Sequence, residues 1–248
     1  MRITKFLAAA ALALSFTAAN AQEAEENENG FSVSTDFVSS YAWRGGFCCH
    51  ASIQPQIQYT AGGFTCGTWA SHTLTSDEYT ELDWFASYGV AGFTFGVTEY
   101  CWTGANGFQY FGPYGENHFL EGTIGYSLEN VPLSFSVNTM LAGANKKLND
   151  DGEEKQAMST YISLGYAPSL SNGLDLSLEC GLAIEPKDYA MYASKGGFQC
   201  VNLSANLSRT FNIKDVASLT VQAGVYCNPK GFEGHGEARA MAGVGVSF

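Results

Sequence analysis

From Ala238 to the carboxyl terminus every second residue is apolar: Ala238, Ala240, Ala242, Val244, Val246 and Phe248. The residues between them, Glu237, Arg239, Met241, Gly243, Gly245 and Ser247, are polar, small or flexible. Period two is the side-chain repeat of a β-strand, whose successive Cβ atoms point to opposite faces. A stripe of this kind that runs to the last residue predicts a strand with lipid on one face and a wetter space on the other.

The same alternation recurs about twelve times in the chain. Ala51, Ile53, Pro55, Ile57 and Tyr59 oppose Ser52, Gln54, Gln56, Gln58 and Thr60. Leu82, Trp84, Ala86 and Tyr88 form another stripe, and Leu174, Leu176, Leu178, Cys180, Leu182 and Ile184 give the cleanest one in the interior. Val201, Leu203 and Leu207 are expected on a shared outer face. Four residues separate Tyr59 from Phe64, Tyr88 from Phe93 and Leu128 from Leu133. That spacing keeps the stripes of both flanking strands on one side of a hairpin. Longer connections over 103–117, 142–156, 186–196 and 228–236 alternate with these tight ones, as extracellular loops alternate with periplasmic turns. The prediction is an all-β chain forming a transmembrane antiparallel up-and-down barrel of about twelve strands, with both ends in the periplasm. A soluble sandwich would also alternate. Aromatics at the strand ends (Tyr41, Trp43, Tyr59, Phe64, Tyr88, Phe93, Tyr126, Tyr166 and Phe248) suit interfacial girdles better than a closed core. Only 15% of residues are charged, against about 25% in soluble domains. Mean hydropathy is −0.05, which fits a barrel because its lipid-facing and lumen-facing residues cancel in the average.

Arg2 and Lys5, an apolar run over 6–16 and Ala19-Asn20-Ala21 read as a secretory leader cleaved after Ala21. Residues 22–30 form a short acidic lead-in, and 31–248 the barrel. Losing Arg2 and Lys5 leaves ten basic residues against 24 acidic ones, a formal charge of −14. Such a chain offers nucleic acid no basic patch. Its partners are expected to be outer-membrane lipid, small solutes and the barrel-assembly machinery, with Phe248 as the assembly signal.

The expected inward positions carry Asp36, Glu81, Asp83, Glu121, Asp175, Glu179, Glu185 and Glu237 against Arg44 and Arg239. Such a lumen is negative and concentrates cations. Alternatively these groups pair across the lumen and fill it, because ionised side chains cannot stay unpaired where water is scarce. The small size of the other inward residues favours an open lumen. Its constriction is expected at Arg44, Glu81, Asp83 and Glu121, with Glu237 and Arg239 near the seam. Glu99 falls on the lipid face and is expected near the rim.

Seven cysteines leave at least one thiol unpaired in an oxidising compartment. Cys66, Cys101 and Cys180 fall on the lipid side. Alternation sets Cys200 and Cys227 on opposite faces of neighbouring strands, so a bridge between them requires a bulge. Cys48-Cys49-His50 lacks a second ligand pair at metal-site spacing, and no metal or other cofactor is expected. His50-Ala51-Ser52 places a base and a hydroxyl on one side of a strand. Both face inward, nothing orients the base, and no catalytic residue is expected. His118 and His235 lie near loops and are expected to be solvated.

Ser39-Ser40-Tyr41-Ala42-Trp43-Arg44-Gly45 is the most distinctive local sequence. It is expected to end the first strand with aromatics at the lipid interface and an inward arginine. It resembles the opening signature of the TorF family of outer-membrane proteins, the Gcw_chp group, as do three later segments. These are Glu81-Leu82-Asp83-Trp84 with Tyr88-Gly89, Phe95-Gly96-Val97 through Tyr100, and Phe119-Leu120-Glu121. The chain departs from that pattern at Trp102-Thr103, where the family often has Tyr-Pro, and in its cysteines. The resemblance implies an outer-membrane barrel with a porin-like role, and supplies neither substrate nor catalytic residues. The expected function is a passive channel for small solutes. The alternatives are a plugged barrel whose loops, notably Gly107, Phe108, Tyr110, Phe111 and Tyr114, act as an adhesive surface or a plug, and a lipid hydrolase using His50 and Ser52.

Overall fold

Alternation along each segment is realised as twelve long strands that pair with their neighbours and close into one barrel. The computed structural model describes residues 29–214, 216–230 and 238–248. The expected leader, most of the acidic lead-in and Glu237 lie outside the described residues. The strands are β1 (Gly30–Val38), β2 (Ser52–Ala61), β3 (Phe64–Thr73), β4 (Thr80–Val90), β5 (Phe93–Trp102) and β6 (His118–Ser127). They continue with β7 (Leu133–Gly143), β8 (Thr160–Tyr166), β9 (Asp175–Glu185), β10 (Gly197–Ile213), β11 (Ala217–Cys227) and β12 (Arg239–Ser247). All pairs are antiparallel, and β1 closes on β12 with Phe37 opposite Val244 and Asp36 opposite Gly245. Backbone hydrogen bonds between Val33 and Phe248 extend that seam to the last residue.

The two faces differ as lipid differs from water. Phe31, Trp84, Phe95, Ile124, Leu164 and Val225 project outward and are exposed, while Gln54, Thr98, Thr123, Asn138 and Asn206 point inward and are buried. An apolar belt around a closed sheet is a surface that water would not tolerate and hydrocarbon would. At the end carrying Gly30 and Phe248, ring pairs such as Phe31–Tyr59 and Phe93–Tyr126 form an aromatic girdle. The tight connections lie at this same end. Between β4 and β5, Ala91 and Gly92 both have positive φ (50° and 80°), which matches the strand twist of a two-residue hairpin.

Two features depart from simple alternation. First, β1 ends at Val38, and 39–51 turns into the lumen, where Tyr41–Trp43 pairs with Gly46–Cys49 as a short hairpin. Tyr41 and Trp43 are therefore lumen residues and not members of the interfacial girdle. The chain is diverted where Ser39 donates its N–H to Ala242 O at 2.8 Å and accepts from Ala242 N at 2.9 Å. Arg44 and Gly45, at φ 51° and 80°, then make the return turn. Second, β10 carries a bulge opposite Gly181 and Leu182. One extra residue there turns Val201 inward, into full burial, and brings Cys200 opposite the outward Leu182. Val201 thus leaves the lipid stripe, and Cys200 and Cys227 share the outer face. The two are still not bridged: Cys227 pairs with Leu203, and all seven cysteines are free.

Candidate functional site

The hairpin delivers Arg44 to the middle of the lumen, where an arginine needs acceptors. Its guanidinium meets Glu121 of β6 through two parallel bonds, Nη1 to Oε2 at 2.6 Å and Nη2 to Oε1 at 2.8 Å. Nη1 also donates to the Tyr192 hydroxyl at 2.7 Å, and Tyr100 donates its hydroxyl to Glu121 Oε1 at 3.0 Å. Rings stack on the guanidinium, Trp43 at 4.4 Å and Tyr161 at 4.5 Å from their centroids. Arginine suits this place because its planar fork matches a carboxylate while its face tolerates aromatics. The pair is sealed, with side chains 2% and 1% exposed. Removing one partner of such a pair costs roughly 3–5 kcal/mol, because the other is left charged and buried.

Gly45 explains how the tip seats. A Cβ at this position would lie 2.3 Å from Val201 O, so the hairpin presses directly on the β10 bulge. Gly181 plays the converse part, since a Cβ there would strike the Tyr161 ring; its absence lets Tyr161 lie flat and donate its hydroxyl to Glu179. A second segment, 186–196, also turns inward. Glu185 accepts the backbone N–H groups of Met191 and Tyr192, and Asn228 donates to Tyr192 O at 2.6 Å. Trp43 joins the two inward segments: it packs on a cluster of Tyr41, Trp69, Phe85, Tyr226 and Met241, and on another of Tyr161, Tyr192 and Val201. The lumen at this level is therefore filled, whereas the small inward residues suggested an open one.

The structure brings most of the expected constriction together. On the β4–β6 wall, Glu81 is paired with Trp102 and Asp83 with Tyr100 across the sheet, and Tyr100 reaches Glu121. Glu81 accepts from Tyr79 at 2.6 Å and from Trp102 Nε1 at 2.5 Å. Asp83 is fully buried and, apart from Glu81 beside it, neither of its carboxylate oxygens has a hydrogen-bond partner. Arg239 stands apart from the Arg44–Glu121 contact and lies over the Phe47 ring at 4.4 Å, so it steadies the hairpin. Arg44 enters from the hairpin tip and not from the barrel wall.

The base of the hairpin is clamped to the neighbouring loop. Asp77 accepts His50 N at 2.6 Å, the Thr75 hydroxyl at 2.7 Å and the His50 ring Nδ1 at 2.9 Å. These donors, the His50 backbone N–H first, hold the Asp77 carboxyl below its ordinary value of 3.8. His50 and Ser52 are not assembled as base and nucleophile. His50 turns to Asp77, and the buried Ser52 hydroxyl accepts Gln54 Nε2 at 3.2 Å. Among the described residues, no three His, Cys, Asp or Glu side chains are grouped to hold a metal.

Glu99 does face outward, but it is not left to lipid. His118 Nδ1 meets Glu99 Oε1 at 2.5 Å while Nε2 meets Tyr110 O at 2.8 Å, and Tyr114 stacks on the imidazole. His118 is thus buried and hydrogen-bonded to Glu99, and not a solvated loop residue. The connection over 103–117 is laid on the outer wall at Glu99 and does not fold inward as a plug.

Tyr192, Tyr161 and Tyr100 carry the site yet were not singled out from sequence. Tyr100 and Tyr161 were readable as inward, since each sits between outward neighbours. Tyr192 lies in an aperiodic loop, where no spacing marks it. No protein-family model and no characterised protein sequence matches the chain. Among solved structures it is similar to a NanC porin, at 10% identity and a TM-score of 0.50, covering 88% of this chain and 98% of that one. A KdgM porin aligns at 10% identity and TM-score 0.46 over 88% and 98% of the two chains. The COG4313 outer membrane channel from Pseudomonas putida F1 aligns at 11% and 0.43 over 90% and 97%. At such identities the likeness concerns the fold.

Proposed function

We propose that the chain is an outer-membrane barrel for passive movement of small solutes, with the Arg44 hairpin as the constriction that governs passage. The observation that carries this reading is Arg44 held bidentately by Glu121 across the lumen. One partner belongs to the wall and the other to a slender hairpin, so the contact is one that can be made or broken without disturbing the sheet. The lining is acidic around it: Arg44 is matched by Glu121, while Glu81 and Asp83 have no matching cation in contact. Cations are accordingly favoured. In this reading the leader 1–21 is removed on export, the acidic lead-in and barrel follow, and the strand ending at Phe248 is presented to the assembly machinery. The likeness of Tyr41-Ala42-Trp43-Arg44-Gly45 to the TorF opening signature supports reading the chain as a relative of that family. This reading requires neither a catalytic step nor a cofactor.

Purified mature protein in planar bilayers tests the reading. Wild type is expected to show brief, cation-preferring conductance steps. Arg44→Ala and Glu121→Gln are expected to lengthen or enlarge them, and neutralising Glu81 with Asp83 to reduce the cation preference. Silence from wild type and from both the Arg44 and the Glu121 variants would overturn the channel. That result would favour the second reading, a plugged surface-interaction barrel, for which the depth at which Trp43 and Arg44 are packed is the supporting observation.

A further inference from the structure

We infer that Cys180 and Cys200 are a disulfide-forming pair on the outer wall, a brace across the bulge on which the hairpin tip rests. The inference stands on strand register and is independent of whether the barrel conducts. Cys180 lies opposite Leu203 and Leu182 opposite Cys200, so two residues of β9 face an interval of three on β10. The extra residue carries Cys200 to the outer face, where it is the diagonal neighbour of Cys180 on the same side of the sheet. Both are half-buried, whereas Cys49 and Cys101 are buried outright. Diagonal neighbours are brought closer where a bulge bends the strand and increases its twist, and the bridge is formed by local adjustment there to the roughly 2 Å of a disulfide bond.

The chemistry is thiol–disulfide exchange with a small-molecule or protein disulfide as oxidant. The thiolate of one cysteine attacks a sulfur of the oxidant, breaking its S–S bond and releasing one reduced thiol. The second cysteine, as thiolate, then attacks the mixed disulfide at the protein sulfur and displaces the other thiol. Two electrons pass from the cysteine pair to the oxidant, and the two cysteine protons end on the released thiols.

Full-length mature protein is refolded in detergent micelles with oxidised glutathione, denatured, alkylated and mapped by mass spectrometry. The expected result is a Cys180–Cys200 cross-linked peptide and a thiol titre falling from the seven of the chain by two. In Cys180→Ser and in Cys200→Ser this loss should vanish. Retention of all seven thiols by the folded wild type would overturn the inference. So would a loss of two thiols persisting in either serine variant, or a cross-link joining Cys200 to Cys227.

Discussion

Asp83 is the residue whose surroundings least suit its chemistry. A buried carboxylate whose one polar neighbour is another acid costs more than a neutral isostere, while that neighbour, Glu81, two residues away on the same face, has both a phenol and an indole. The two acids should therefore respond oppositely to neutralisation. Asp83→Asn is expected to raise the thermal unfolding midpoint of the detergent-solubilised barrel, corresponding to about 1–3 kcal/mol. Glu81→Gln should lower it. Equal shifts for both would show that Asp83 is as well satisfied as its neighbour. Both residues were legible as inward from the alternation of Leu82 and Trp84. That one is satisfied and the other is not depends on Tyr79 and Trp102, whose side chains no spacing rule connects to Glu81.

At the scale of the element, the inward hairpin is defined by its two ends. Its tip is held by the Arg44–Glu121 pair and the close seat of Gly45, its base by Asp77 on the next loop. The base should be sensitive to acid. The Asp77 carboxyl is depressed, so its contribution is fully present above the ordinary value of 3.8 and is lost as the pH falls through the lower, folded-state value. Protease cleavage near His50 is expected to be slow and constant from neutral pH down to that region, then to accelerate. Asp77→Asn should be cleaved fast at every pH, and a variant indistinguishable from wild type would remove the clamp. The sequence carried this element only in disguise. Tyr41 and Trp43 continue the parity of Phe37, so periodicity extended β1 through them. It could not register Ser39 diverting the chain, nor the positive φ of Arg44, a residue that gives no local sign of a left-handed turn.

For the whole molecule, the wall was legible and its contents were not. Twelve strands, their facing and the tight turns all follow from period two, because a closed sheet between lipid and a polar lumen imposes that period everywhere. Which long connection enters the lumen is decided by contacts far apart in sequence. Ser40 meets the Tyr226 hydroxyl across 186 positions, and Gly45 presses on Val201. Contacts so distant form late, after the chain between them is placed. In refolding experiments with Trp43 as the sole tryptophan, its shielding from aqueous quencher is expected to lag behind the far-ultraviolet signal of strand pairing. Simultaneous appearance would mean that the hairpin docks before the barrel is complete.

The direct continuity of β1 with the hairpin has one more implication. The first strand of the barrel and the segment that follows it supply both an edge that β12 pairs with and an inward hairpin that β10 and β11 receive. A product lacking its final strands would have neither a sealed rim nor a lodging for Trp43 and Arg44, and the stranded aromatic finger would be an obvious handle for envelope proteases to grip.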